Sequence, residues 1–317
     1  MNNMNNLKPI EVNETGLVPL PSYNLLIDAF VSSQDVRPNS RALYKRTVKL
    51  FFNWLMANGL ELKTLTRIEI IKYKEYLLEA GLSTLTIDSY LVAVRKFFEW
   101  AETNKYYPNV AKGIKGVRRK RDYRKMPLTS TQGRELLEHF ASYTLRDYAM
   151  VNLLIRTGLR TIELIRANVG DVTFKSDTRV LLVHGKGRDE KDNFVILSKK
   201  AYEPIKEYLE ARQKVNQNSP LFISVSNKNY NQRLTTRSIR RIVKEGLRAI
   251  GLDNKEFTAH SLRHSFASYL FKDGQRLEHI QGALRHTNPA TTQIYLKGIE
   301  EEMRLKNNIE SRIDDIL

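Results

Sequence analysis

Apolar positions recur at helical spacing along most of the chain, and the first four such segments follow one another between Ser22 and about Lys105. SYNLLIDAFVSS is the first. SRALYKRTVKLFFNWLMANG is the second, with Asn39 or Ser40 as its cap, Tyr44, Val48, Phe51, Phe52 and Leu55 facing inward, and Gly59 as its stop. TRIEIIKYKEYLLEAG opens with Thr66 and Glu69 at capping-box spacing and closes at Gly81. STLTIDSYLVAVRKFFEWAE places Ile87, Tyr90, Leu91, Val94, Phe97 and Phe98 on one stripe, which is the pattern of core rather than of a ligand site. Together they predict a small all-helical domain.

Pro108, Gly113 and Gly116 then interrupt the pattern, and it resumes at a Thr129-x-x-Gln132 cap with helices over about 131–141 and 145–157 and a turn at Gly158. DVTF, TRVLLVHG and NFVILS are β-branched and apolar, and predict three strands of a small antiparallel sheet. The turn GKGRDEKD, between the second and third strands, carries Lys186. Helical spacing returns over about 199–214, 235–250, 258–272, 275–284 and 290–297. The last segment, GIEEEMRLKNNIESRIDDIL, keeps a partial apolar stripe through Met303, Ile309, Ile313, Ile316 and Leu317. The expected fold class is therefore mainly α with a small antiparallel β-sheet. Four regions are expected: a polar arm over 1–20, a helical domain over 21–110, a basic linker over 111–126 and an α+β domain over 127–317.

A length of 317 residues, of which 41% are apolar, suits two packed domains. The absence of cysteine excludes a disulfide framework, a thiolate nucleophile and a thiolate metal site. There is no run of eighteen apolar residues and no leader pattern at the start, so the expected location is cytoplasmic, without a membrane. The net charge of +17 favours a polyanionic partner. A basic solvated surface would account for a diffuse excess, but here the excess is concentrated: residues 112–125 hold eight basic side chains against one acidic, about two fifths of the total. That pattern suits a clamp on a duplex backbone.

The candidate chemistry lies between His260 and Tyr295. His260 and Arg263 are three apart in a helical segment and share a face, so an arginine fork and an imidazole sit side by side as an oxyanion pocket. His286 follows, and the helix-breaking Asn288-Pro289 pair turns the chain before Tyr295, a candidate nucleophile. A zinc pair at His260 and His264 is the rival reading. It lacks an intervening glutamate, any cysteine and an evident third ligand, so no metal is expected.

With Arg160 in TGLRTIEL and Lys186 in HGKGRDE, the ordered series Arg160, Lys186, His260, Arg263, His286, Tyr295 resembles the active-site series of the tyrosine recombinases, the family of phage-type integrases and Xer-type resolvases. The resemblance spans about residues 22–300. It implies a two-domain clamp, in which a helical core-binding domain and an α+β catalytic domain grip double-stranded DNA at inverted-repeat core sites. It also implies a homotetramer on two duplexes, with accessory proteins in some cases, and neither cofactor nor ATP.

By the same resemblance Tyr295 attacks phosphorus and forms a 3′-phosphotyrosyl link, with His260 as the base. Arg160, Arg263 and His286 hold the phosphate oxygens, Lys186 protonates the leaving oxygen, and Glu163 holds Arg160 or His260. Candidate DNA contacts are Lys45, Arg46, Lys49, Arg95 and Lys96 in the helical domain and Arg118, Arg119, Lys120, Arg121 and Arg124 in the linker. Arg285 is a further candidate, standing where the family usually has glycine. The linker departs too: Pro108 precedes Asn109, where the family usually has Asn-Pro. The terminal segment is expected to dock on a neighbouring protomer rather than on its own domain. Two alternatives remain at this point, strand relaxation like that of a type IB topoisomerase and sequence-specific DNA binding without cleavage.

Overall fold

The structure is a computed structural model, and it describes residues 22–117, 125–184, 190–212, 215–308, 311 and 314. The chain divides into two compact units, Met1–Arg121 and Asp122–Leu317.

The first unit is built from α1 (Tyr23–Ser33), α2 (Pro38–Ala57), α3 (Arg67–Glu79) and α4 (Thr84–Thr103). The apolar stripes meet in one core in which Phe30, Phe51, Phe52, Phe97 and Phe98 are all fully buried. Their rings pack edge to face, with Phe52 and Phe97 5.2 Å apart at 89°; such a pair adds about 1 kcal/mol beyond the area it buries. Tyr44 and Tyr90 lie at the rim of this core, half-buried. The Thr66–Glu69 capping box forms, with the Thr66 amide donating to the Glu69 carboxylate at 2.7 Å. The second helix begins earlier than Asn39 or Ser40: Arg37 is the cap and Pro38 the first helical residue. Proline suits that position because its φ is preset and its missing N–H would have lacked a helical partner in any case.

The chain remains packed on this unit through Val117, although a linker was expected from 111. Ala111 and Ile114 are buried. Arg67 donates to the carbonyl of Gly113 at 3.2 Å, Lys74 to that of Lys115 at 3.3 Å and Arg95 to that of Ile114 at 2.9 Å. The Val117 amide donates to Asp88 at 2.9 Å. A Cβ on Gly116 would stand 2.3 Å from the same carboxylate, so the glycine permits this approach. Three basic side chains thus act here as main-chain clamps. Arg118, Arg119, Lys120, Arg121 and Arg124 lie outside the described residues.

The second unit contains α5 (Ser130–Ala141), α6 (Leu145–Thr157), α7 (Thr161–Arg166), β1 (Val172–Lys175), β2 (Thr178–Val183), β3 (Asn193–Ile196), α8 (Lys199–Ala211), α9 (Thr236–Ala249), α10 (Ala259–Lys272), α11 (Leu277–Leu284) and α12 (Pro289–Asn307). Helix α6 is its axis, buried along Ala149–Ile155 and packed by α5, α8 and α10. The three strands form an antiparallel meander in the order β1-β2-β3, with Leu181 opposite both Val172 and Val195. The fold class is the expected one, mainly helical with a small antiparallel sheet.

In this unit two helices differ from the sequence expectation. Helix α7 spans six residues, too few to display a period, and it starts because the Glu163 carboxylate accepts the Arg160 amide at 2.8 Å. Helix α12 continues to Asn307 rather than stopping near 297, since a single internal glycine, Gly298, costs about 1 kcal/mol and does not end a helix. No helix among the described residues is long and apolar enough to cross a membrane.

Candidate active site

The site begins where α6 ends. Gly158 caps that helix in the left-handed region at φ +60°, and a Cβ there would lie 2.6 Å from a ring carbon of Phe266. This tight turn delivers Arg160 to the start of α7. There the Arg160 guanidinium donates to Glu163 at 2.6 Å, with the carboxylate 2% exposed and the guanidinium 20%. One side of Arg160 is thus fixed on a buried carboxylate. The residue also lines an open hollow with Asn193, Gln281, Arg285, His286 and Thr291.

Helix α10 brings His260 and Arg263 to the same region. Arg263 is 1% exposed, and its guanidinium donates to the carbonyls of Gly158 and Leu284. It therefore fastens the end of α6 to the end of α11. His264, one turn after His260, is also buried, with its ring 5.9 Å from that of His260.

Helix α11 ends at Arg285 in the left-handed region, φ +55° and ψ +44°. The next residue, His286, is buried, and its Nδ1 lies 2.8 Å from the hydroxyl of Thr292 in the first turn of α12. Arg285, expected among the DNA contacts, turns inward instead. It donates to Glu163 at 2.9 Å and to the Ala283 carbonyl at 2.6 Å, and its side chain is 5% exposed. Glu163 serves two arginines.

The charges act on one another. Desolvation, then Arg263 and Arg160, then Lys125 and Arg240, lower the pKa of His260 to about 4. Loss of water around the ring is the largest cause, although the residue as a whole keeps solvent-exposed surface, and the four cations add to it. Desolvation followed by Arg263, Arg160, Arg285 and His260 brings His286 to about 3, and desolvation followed by His260, Arg263 and His286 brings His264 to about 3. Burial alone would raise Glu163, but Arg285, the Arg160 amide and side chain, and Arg263 outweigh it and hold the carboxyl below its ordinary value. At neutral pH the site therefore holds neutral imidazoles, three guanidiniums and one carboxylate. Among the described residues no group of three or more acidic or histidine side chains is placed to hold a metal ion.

Residues 127–302 match the phage integrase family, and residues 27–105 match the phage integrase N-terminal SAM-like domain. The chain belongs to the tyrosine recombinase family. It is 32% identical to the tyrosine recombinase XerC of Thermodesulfovibrio yellowstonii, over 80% of this chain and 83% of that one. It is 30% identical to a tyrosine recombinase of Pseudothermotoga lettingae, over 82% and 87%. In fold it is similar to the XerH site-specific recombinase bound to a palindromic difH substrate in a post-cleavage complex, with a TM-score of 0.73 at 21% identity, covering 90% of this chain and 83% of that one. The family is the one that the ordered series of six residues resembles.

Of that series, the structure brings Arg160, His260, Arg263 and His286 into one electrostatic neighbourhood, with Glu163 beneath Arg160. Tyr295 is on α12, one turn after Thr292; its side chain, like the whole of Lys186, lies outside the described residues. In the first unit Lys45 pairs with Asp28 at 2.7 Å and Lys96 with Glu99 at 2.9 Å, whereas Arg46 and Lys49 are exposed. Arg95 is the clamp on Ile114 described above.

Sequence reasoning missed Thr292, Lys125 and Arg240. Arg240 had a legible signal, since Arg237, Arg240 and Arg241 recur at helical spacing opposite Ile239, Ile242 and Val243, and the arginines are exposed while the apolar residues are buried. Thr292 had none. Its partner is set by the turn at Asn288 and Pro289, not by a local pattern.

Proposed function

We propose that the chain is a site-specific DNA recombinase that cuts and rejoins strands through a covalent phosphotyrosyl intermediate at Tyr295. The observation that carries this reading is the mutual placement of Arg160, Arg263, His260 and His286, two fixed guanidiniums and two imidazoles gathered at the meeting of α7, α10 and α11. Such a group neutralises the charge that develops on a pentacoordinate phosphorus without a metal ion.

In this mechanism the Tyr295 phenol oxygen attacks phosphorus and its proton passes to His260, whose ring is kept neutral at pH 7 by burial and the surrounding cations. Arg160 and Arg263 balance the charge of the non-bridging oxygens. With its Nδ1 held by the Thr292 hydroxyl, His286 presents a proton on Nε2 to the same phosphate. The bond from phosphorus to the 5′ oxygen breaks, and Lys186 supplies the proton that this oxygen takes up. The 3′ phosphate remains on Tyr295, so the phosphodiester energy is kept and a free 5′ hydroxyl can reverse the step. The second unit performs this chemistry, and the helical unit grips the duplex. The net charge of +17 and the exposed arginines of α9 suit the DNA backbone. We assign the working form as a homotetramer on two duplexes, each carrying an inverted repeat about a short spacer.

A nicked duplex bearing such a repeat tests this. The full chain should yield a detergent-resistant protein–DNA adduct, and Tyr295→Phe should bind the duplex with unchanged affinity and yield none. An adduct that survives Tyr295→Phe overturns the assignment. Joined molecules from two sites, rather than relaxed circles, separate strand exchange from strand relaxation.

A further inference from the structure

Arg285 stands where backbone geometry disfavours any residue with a Cβ. Its φ of +55° is in the left-handed region, which is unfavourable for any residue other than glycine because Cβ crowds the following carbonyl. Its charge is also taken out of water, with only 5% of the side chain exposed. Both costs are repaid at Glu163. One oxygen of that carboxylate, Oε2, receives the Arg160 amide at 2.8 Å and the Arg285 guanidinium at 2.9 Å, while Oε1 receives the Arg160 guanidinium at 2.6 Å. A second donation, to the Ala283 carbonyl at 2.6 Å, fixes the Arg285 side chain against its own helix end.

We propose that Arg285 is a positioning residue for the cleavage chemistry: through Glu163 it locks the guanidinium of Arg160 in place. This rests on the function proposed above. Without Arg285, one face of the Glu163 carboxylate loses its cation. The carboxylate is then held only by the Arg160 amide and guanidinium, and the Arg160–Glu163 pair loses its anchor on the end of α11. The α11–α12 turn would still form with glycine, for which the left-handed region carries no penalty. The consequence is a loss of rate, not of grip on the duplex, since Arg285 offers little surface to DNA. The charge of Arg285 also contributes to keeping His286 neutral, together with Arg263, Arg160 and His260.

The test compares the wild-type full chain with Arg285→Gly, Arg285→Lys and Glu163→Gln, and with Arg285→Gly combined with Glu163→Gln. Single-turnover adduct formation on the nicked duplex, duplex affinity at two salt concentrations, and the His286 titration by NMR on the free protein are measured for each. Arg285→Gly should slow cleavage about tenfold or more with affinity and its salt slope unchanged, and should raise the His286 pKa. Arg285→Lys, which keeps the charge but not the fork, should recover part of the rate. On the Glu163→Gln background Arg285→Gly should add little, since both changes break one pair.

A weakened affinity with a salt slope reduced by about one at unchanged cleavage rate makes Arg285 a phosphate contact and overturns the proposal. Additive rate losses in the double variant, or an unmoved His286 titration, overturn it as well. If the wild type forms no adduct, the cleavage reading fails on its own. The coupling of Arg285 to Glu163 and His286 is then still decided by the titration and by the stabilities of the four variants.

Discussion

The guanidinium of Arg263 donates to the main-chain carbonyl of Leu284, two positions before His286, and its other terminal nitrogen donates to the carbonyl of Gly158, two positions before Arg160. One fully buried side chain thus sets the spacing between Arg160 and His286, which are 126 positions apart in sequence. Arg263 is both a charge at the site and the strut that shapes it.

Replacement of Arg263 should therefore cost stability and activity together. Arg263→Ala leaves two buried carbonyls without their donor, a loss of about 3 kcal/mol. Arg263→Lys should recover little, because a single ammonium on a flexible stem cannot serve two carbonyls in the geometry of a planar fork. Urea denaturation of the two variants checks this. A lysine variant within about 1 kcal/mol of wild type would show that the fork is not required.

Legibility in the sequence divides along one physical line. Elements whose identity rests on local period or composition were readable: α2 and α4 from their stripes, β2 from its β-branched and apolar run, the Thr66 and Thr129 caps from their spacing. Those that rest on one contact were not. Helix α7 exists because Glu163 takes the Arg160 amide, and α2 starts at Pro38 because a ring, not a hydroxyl, begins it. The same holds for the site. Arg160, His260, Arg263 and His286 were legible as an ordered series, but the inward turn of Arg285 depends on Glu163, 122 positions away, and on a backbone conformation that residue type argues against. Arg95 showed the converse. A charge that reads as a DNA contact is used on the main chain of Ile114.

Thr292 should matter through His286 alone. Its hydroxyl is fully buried and lies 2.8 Å from Nδ1 of that ring. Thr292→Val keeps the shape and removes the hydrogen bond, which should lower stability by about 1 kcal/mol and slow adduct formation about tenfold as the ring loses its fixed tautomer and orientation. Thr292→Ser should restore most of the rate. Single-turnover cleavage with all three chains decides the matter, and a valine variant that cleaves at the wild-type rate removes Thr292 from the site.

Acid should weaken the second unit well before its carboxylates are protonated. His264 and His286 are nearly or fully buried and keep pKa values of about 3 in the fold, against 6.5 for an ordinary histidine. Between those values the unfolded chain binds more protons than the folded one, so stability from the neutral rings is complete above about pH 6.5 and is lost as pH falls toward 3. At pH 5 each ring accounts for a loss of about 2 kcal/mol. Glu163 works in the same direction lower down: its folded pKa is below 4.5, so its contribution is present above that value and disappears as pH falls through the folded value. Both tryptophans, Trp54 and Trp100, belong to the first unit. Urea denaturation at pH 7.5, 6 and 5 should therefore show a falling midpoint by far-ultraviolet circular dichroism and a smaller shift by tryptophan fluorescence. His264→Asn should flatten the pH dependence of the first signal. A dichroism midpoint that holds constant from pH 7.5 to 5 would mean that the folded rings take up protons as readily as the unfolded ones, and that the cations around them do not keep them neutral.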